Sequence, residues 1–500
     1  MNSGFTNDPS KANLKRAKVR VITVFFMIYI FVSGGSFGIE DMVSSSGPGL
    51  TLLLLLLLPL FWSLPMALVA GELGSAIPGE GGFYVWTRRA LGDFWGFQTA
   101  WWWSLSVFVD SSVYVVLSVG YLQNWLGFDQ LTFYLICWTI IALFALINIV
   151  GIKLVALGST LFSIIVLAPF VVLIVVGFMN WQFNPLTPLT VPDAPMFGTG
   201  GVFALGLAIG VWMYSGYESM STLSGEIRNP QKVIPRALML ALPFVAVMYV
   251  LPTLASLAAF GHWDSFAVDA GDGSVSFVEI GQALGGSALG AAMLASALLG
   301  NLALYLDYLA SGARPLFAIA SDRLFPRSVA RISGRFGTPI VAIILMAMLN
   351  AVLIIGPFRN LVVIDVMLFA SAYVLIFVSA VRLRIREPGL KRPFRVPLST
   401  TGMIAMVIPP ILIVLFTLYV NAIDRSTILF GFDGFQLFGV NIGWYGIAGF
   451  LALLSGPLLY PLLRAMYGGP ATPSAEAGNH DIALAEAEYL GSNIWGQSQN

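Results

Sequence analysis

Apolar runs of membrane length recur along this chain, and two of them are interrupted in the same way. A helix needs roughly 20 apolar residues to cross a bilayer. About twelve stretches qualify: 20–46, 48–71, 94–120, 131–150, 153–179, 198–226, 236–260, 285–314, 338–356, 360–381, 402–423 and 442–466. The first contains Phe31-Val-Ser33-Gly34-Gly35-Ser36-Phe37-Gly38-Ile-Glu40, small flexible residues followed by a carboxylate. The sixth contains Trp212-Met-Tyr214-Ser215-Gly216-Tyr217-Glu218. In lipid every backbone N–H and C=O needs a partner, so a helix breaks only where protein or a water-filled cavity satisfies the freed groups. Paired breaks in corresponding places point to a binding site near the membrane midplane.

Only 10% of the 500 residues are charged and 58% are hydrophobic, against about 25% charged in soluble domains, so an integral membrane protein is expected. Orientation follows from the basic residues. Lys11, Lys15, Arg16, Lys18 and Arg20 precede the first span, and every second loop then repeats the bias, through Arg88, Lys153, Arg228, Arg323 and Arg384 to Arg464. Of 25 basic residues only Arg359 and Arg425 fall on the other side. The loop 261–282 carries Asp264, Asp269, Asp272 and Glu279 without a Lys or Arg. Both termini are therefore expected to be cytoplasmic, in the plasma (inner) membrane, with an even number of spans. The apolar stretch near Val19 is long and lacks a small-residue cleavage site, so it does not read as a cleaved signal.

The breaks lie in spans one and six, five spans apart, which gives the two halves opposite topology. That placement predicts a five-plus-five inverted repeat, about 19–180 and about 197–385, with spans eleven and twelve (about 400–468) appended. The transporter domain is read as 19–470, between a basic tail, 1–18, and a disordered tail, 471–500, whose Tyr489-Leu490 and Ile494-Trp495 could dock. Residues 79–91 are too short to span and read as an amphipathic cytoplasmic or re-entrant segment.

Six carboxylates sit inside or at the mouth of apolar spans: Glu40, Asp41, Asp110, Glu218, Asp307 and Asp365. No Lys or Arg lies at mid-membrane depth. A charge there is costly, so each carboxylate faces the bundle interior, is protonated, or binds something. The excess of anionic groups favours a cationic guest: an amine, Na⁺ or H⁺. Gly34, Gly35 and Ser36 offer N–H groups at the start of a half-helix, which attract a carboxylate, although such glycines also serve close helix packing. Glu218 reads either as an amine or proton site or as a carboxylate bonded to span one that holds the break open. Trp212 and Tyr214 flank that gap. Asp110, near the middle of span three, is a substrate-amine or proton candidate. Asp307 and Tyr308 lie on span eight, where a structural and a functional role are both open. Asp365 reads as an interfacial carboxylate near the outer end of span ten. Glu72 and Glu226 read as partners of Arg88, Arg89 or Arg236. There is no Walker-type Gly-x4-Gly-Lys-Ser/Thr, no nucleophile–base set, and no repeat resembling a pore filter. No enzyme activity, cofactor, metal or nucleic-acid partner is expected. Cys137 is alone and reads as packing.

Several of these residues fall in motifs that resemble the amino acid–polyamine–organocation (APC) superfamily, especially its plant and protozoan polyamine and amino acid transporter branch. They are Ser33-Gly-Gly-Ser-Phe-Gly-Ile-Glu-Asp41, Pro59-Leu-Phe-Trp62-Ser63-Leu-Pro65, Gly81-Gly-Phe-Tyr-Val-Trp86, Phe94-Trp-Gly-Phe-Gln98, Ser221-Thr-Leu-Ser-Gly-Glu226 with Asn229-Pro230, and Ser321-Asp-Arg-Leu-Phe-Pro326 with Thr338-Pro339. The resemblance covers about residues 20–400 and implies an all-α, leucine-transporter-like fold. It implies a substrate carboxylate at Gly34, Gly35 and Ser36, and an amine at Trp212, Ser215, Gly216 and Glu218. Asp110 and Tyr308 fall on substrate-contacting positions of spans three and eight. Two departures matter. Thr160 to Pro169 lacks the span-five lysine of many proton-coupled members, so Glu218, Asp110 or Glu40 must carry the proton. Ser36 stands where the polyamine branch tends to have Pro, which restores an N–H and slightly favours a carboxylate-bearing amino acid over a plain polyamine.

The expected function is proton-coupled import of amino acids or polyamines by alternating access, through a site between the breaks. The alternative is an amino acid exchanger without proton coupling, and a transporter-like sensor or a channel comes after it. The expected partners are a small-molecule amine, H⁺ and membrane lipid, with the oligomeric state left open.

Overall fold

The computed structural model describes residues 5–6, 19–79, 81–196, 201–267, 275–354, 358–422, 435–437, 440–442, 444–480, 482–483 and 486–487. The sequence candidates Lys11, Lys15, Arg16, Lys18, Asp269, Asp272, Arg425, Tyr489-Leu490 and Ile494-Trp495 lie outside the described residues. Within them, nine helices are long and apolar enough to cross a membrane, and two shorter apolar helices accompany them. With the split sixth run these make twelve spans.

Span one is α1 (Val21–Val32) and α2 (Ile39–Ser46), separated by the Ser33–Gly38 break. Span two is α3 (Pro48–Leu58) and α4 (Leu64–Ala76), joined through one π-helical stretch, Pro59–Ser63. The short α5 (Phe83–Leu91) precedes spans three to five, which are α6 (Asp93–Leu126), α7 (Gln130–Val150) and α8 (Ile152–Met179). Span six is α9 (Val202–Met213), continued after the break by 3₁₀ turns over Tyr217–Glu226. Spans seven to ten are α10 (Pro230–Phe260), α11 (Phe277–Ser321), α12 (Ile340–Leu353) and α13 (Phe358–Arg386). The last two are α14 (Thr400–Ala422) and α15 (Trp444–Tyr467).

Local chemistry sets many of these boundaries. Asp129 caps α7 by accepting from Thr132 N at 3.2 Å. Ser276 and Glu279 form a reciprocal capping box at the start of α11, which satisfies donors a helix start leaves bare. Pro230 opens α10 at the position where a missing N–H costs nothing. Span eight starts earlier than its apolar pattern suggests and bends at Gly286, whose φ of 72° needs a residue without a Cβ.

The packing follows the inverted repeat. Span five packs on span eight and span ten packs on span three, the exchange required when spans one to five are related to spans six to ten. Leu143 on α7, Leu157 and Val171 on α8, Leu412 on α14 and Leu458 on α15 expose apolar side chains in mid-helix. Such belts fit lipid and not water.

Two sequence expectations need correction. The segment after α15 is not all disordered: Ala477 is buried, and Gly478 packs on Ile77 and Val85 beside α5. Glu72 and Glu226 find other arginines than those nearest in sequence. Arg384 donates to Glu72 at 2.8 Å and Arg314 to Glu226 at 2.8 Å. Arg88 instead bonds Asp93 (2.9 Å) and Asp322 (2.7 Å), while Arg89 bonds Glu387 (2.8 Å). These clusters lie at the end of the bundle where the basic loops gather.

Candidate functional site

The two breaks face each other across the bundle. Gly216 approaches span one so closely that a Cβ would overlap the Phe31 carbonyl oxygen, and its φ is 111°. Breaking the helices frees carbonyls at the ends of α1 and α9, and tyrosine hydroxyls meet them. Tyr308 donates to Phe31 O at 3.1 Å. Tyr249, from span seven, lies 2.8 Å from Val32 O and 3.0 Å from Met213 O, so one hydroxyl serves both breaks. Ser63 donates to Tyr214 O at 3.2 Å. Tyr214 in turn donates to Leu55 O at 2.8 Å, the carbonyl left without its helical donor because residue 59 is proline.

Between the breaks lies a cavity of about 640 Å³. Gly34, Gly35, Asp110, Trp212, Ser215, Gly216, Glu218 and Tyr308 all line it, as do Asp41 and Asp365. Its wall continues through Ser44, Tyr121 and Ala267, toward the end opposite the basic loops. Among the described lining residues there is no lysine, arginine or histidine.

Three carboxylates on the wall receive hydrogen bonds and have no ion-pair partner among the described residues. Glu218 accepts from Tyr373 at 2.5 Å, from Trp103 at 3.2 Å and from Ser219 at 3.4 Å. Asp110 accepts from Tyr114 at 2.9 Å. Asp365 accepts from Ser106. Its expected interfacial position is thereby corrected: α13 turns it inward, where it is only 3% exposed. Aromatic rings fill much of the remaining wall, with Tyr114 stacked on Tyr308 at 5.7 Å and Phe31 edge-on to Tyr308 at 5.8 Å.

Three candidates stand off the cavity wall. Tyr214 is fully buried against span two. Ser36 gives its hydroxyl to Met248 O at 2.6 Å. Glu40 bridges two backbone amides, Gly38 N at 2.7 Å and Phe277 N at 3.0 Å. Its carboxylate therefore meets the N-terminal end of α2, where an external carboxylate was expected.

Other site residues escaped the sequence reading. Trp103, Ser106, Tyr114, Leu117 and Tyr121 recur at helical spacing with Asp110 on one face of α6, and Phe369 and Tyr373 with Asp365 on one face of α13. Those spacings were visible in the sequence. Tyr249 had no signal, because nothing local says that a span-seven hydroxyl meets carbonyls of spans one and six.

An all-helical bundle with two opposed broken spans around a carboxylate-lined cavity defines an integral membrane transporter of inverted-repeat type. The amino acid permease family profile matches residues 19–432. The rice (Oryza sativa subsp. japonica) polyamine transporter PUT1 is 32% identical, over 83% of this chain and 76% of its own. The Arabidopsis thaliana polyamine transporter RMV1 is 31% identical, over 82% of each. An uncharacterized transporter of Legionella pneumophila is 26% identical, over 67% of this chain and 75% of its own. The chain belongs to the amino acid permease family of the APC superfamily and is a transporter of amino acid or polyamine type, not an enzyme.

Proposed function

We propose that this transporter imports linear polyamines, or amino acids with a cationic side chain, across the plasma membrane by proton-coupled alternating access. The carrying observation is the cation-free cavity wall with Asp110, Glu218 and Asp365 around it. One ammonium cannot neutralise three carboxylates; a guest with several spaced ammonium groups can. The tyrosine and tryptophan rings between them suit the methylene segments of such a guest and its ammonium groups. The relatives named as polyamine transporters support the same reading. Glu40 at the start of α2 supports a guest without a carboxylate, since that amide end already holds an anion.

In this reading the ammonium groups go to Asp110 and Glu218, and Trp212 and Tyr308 cover the guest. Spans one, two, six and seven rock against the remaining helices. The proton candidates are the carboxylates, because span five offers no lysine at Thr160 to Pro169. The basic end of the bundle is cytoplasmic, so the cavity described above faces outward.

Uptake of labelled spermidine, putrescine, arginine and leucine into proteoliposomes tests this, with and without an inward proton gradient. Spermidine accumulation that needs the gradient is expected. Uptake that ignores the gradient and needs internal substrate would establish an exchanger instead. Asp110→Asn is expected to weaken spermidine binding about tenfold or more; unchanged affinity would remove Asp110 from the amine site.

A further inference from the structure

One buried carboxylate takes no part in the cavity. Asp307 of α11 is fully buried in the seam between spans eight and five. Among the described residues its hydrogen-bond partner is Ser159 of α8, whose Oγ lies 2.5 Å from Oδ1, and Oδ2 has none. The same Ser159 Oγ lies 2.8 Å from the Val155 carbonyl oxygen.

A serine hydroxyl has one hydrogen. It cannot serve both the Val155 carbonyl and an ionised Asp307. If the hydrogen goes to Val155, the short contact to Asp307 requires a hydrogen on the carboxyl group itself. Ser163, one turn further along α8, cannot supply it, because its hydroxyl is bonded to Ser159 O at 2.7 Å. The inverted repeat provides a control. Spans three and ten carry the counterpart contact, between Ser106 and Asp365, and there the serine has no second acceptor among the described residues. Ser106 can therefore give its hydrogen to an ionised carboxylate. Asp110 and Glu218 likewise receive donors from Tyr114, Tyr373 and Trp103. Asp307 alone of these carboxyls sits where no donor is spare.

Among the described residues no charge of opposite sign is paired with it. Span twelve's Arg464 and span eight's own Arg314 are engaged elsewhere, the latter with Glu226. Of the other titratable groups on elements packed against α11, Tyr29 is on α1, Asp93, Asp110, Tyr114 and Tyr121 on α6, Tyr134 and Cys137 on α7, Lys153 on α8, and Lys232, Arg236 and Tyr249 on α10; Tyr217, Glu218 and Glu226 follow the second break, Arg327 follows α11, and α12 has none. None of them, nor Tyr305 or Tyr308 on α11 itself, is hydrogen-bonded or ion-paired with Asp307. An isolated buried carboxylate without a cation is strongly disfavoured against its neutral form.

We infer that Asp307 is a proton-binding site, separate from the substrate cavity and loaded in this conformation. Oδ1 takes one proton, and the neutral carboxyl donates through it to Ser159 Oγ while Ser159 donates to Val155 O. The site touches the moving parts through its neighbours. Tyr308, the next residue, holds the Phe31 carbonyl at the first break. Ser163, whose hydrogen goes to Ser159 O, packs 3.4 Å from Phe26 O of α1. Parting of α8 from α11 would admit water and release the proton, so the carboxyl is loaded while the seam is closed. Its use as the coupling site rests on the proton-coupled reading above; its being protonated does not.

The test uses full-length protein in proteoliposomes. Infrared spectra are expected to show a protonated-carboxyl C=O band that Asp307→Asn removes. Ser159→Ala is expected to move that band to higher frequency, since the carboxyl loses its hydrogen-bond partner. Asp307→Asn is further expected to keep spermidine counterflow while losing at least tenfold of the proton-driven accumulation. A spectrum unchanged by Asp307→Asn, or a band unmoved by Ser159→Ala, overturns the site. Loss of counterflow together with accumulation makes Asp307 a packing residue. Sodium-driven uptake that Asp307→Asn abolishes would make it a metal-cation site, which equally overturns the proposal. If wild-type uptake ignores protons, the coupling reading fails and the infrared band alone decides Asp307.

Discussion

Replacing Tyr249 by Phe deletes one oxygen atom and tests how the two breaks are held. The ring would keep its edge-on contact with Tyr214, now 5.0 Å between centroids. What disappears is the one side-chain donor to Val32 O and Met213 O among the described residues, at 2.8 and 3.0 Å. Both carbonyls end helices and Tyr249 is fully buried. A hydroxyl carries one hydrogen, so one donor is lost, not two. Leaving a buried acceptor unsatisfied costs about 1–3 kcal/mol. If that energy favours the broken, substrate-binding conformation, its population falls about 5- to 150-fold against an unbroken one. The expected results are a lower melting temperature in detergent and weaker spermidine binding by a factor in that range. Tyr305→Phe is the control: that hydroxyl is fully buried without a partner among the described residues, so its removal should cost nothing. Equal melting temperature and affinity for Tyr249→Phe and wild type would refute the view that this hydroxyl holds the breaks.

Gly216→Ala should cost more, because a left-handed backbone position is worth about 1–2 kcal/mol before the new methyl meets Phe31 O; a monodisperse, wild-type-stable variant would show that the breaks are not in contact. Arg384→Met takes two hydrogen bonds from the fully buried Glu72, leaves it with Arg392 at 3.2 Å and the Val396 amide at 2.8 Å, and should destabilise by about 1–3 kcal/mol. The double variant Glu72→Gln with Arg384→Met should recover part of that loss, and thermal unfolding that shows no recovery would argue against a charge-pairing origin. Arg89→Ala removes bonds to Ala477 O (3.0 Å) and Asn479 (2.8 Å). Limited proteolysis should then cut residues 470–480 faster, and an unchanged rate would mean this segment is held by packing of Gly478 and Ala477 alone.

Much of the fold was legible in the sequence because lipid restricts it severely. Apolar length gave the spans, the basic residues gave their alternation, and the glycine–serine interruptions gave the breaks. Each of these signals is local, or sums local terms. The face of α6 bearing Asp110 could likewise be read from helical spacing. Partners were harder. Glu72 pairs with Arg384 and Glu226 with Arg314, whereas proximity along the chain had suggested Arg88, Arg89 or Arg236.

By itself the sequence determined that this chain lives in a membrane, that two of its helices must be interrupted, and that the interior carries more acid than base. Those facts follow from how many apolar residues lie in a row and what they exclude. Only the tertiary structure decided which carboxylates face the cavity and which do not. Asp365 turned inward, Glu40 became a bridge between helix starts, and Asp307 was sealed between α11 and α8. The reason is that a carboxylate's role depends on which hydrogens and charges surround it, and in a bundle of twelve spans those come from other helices.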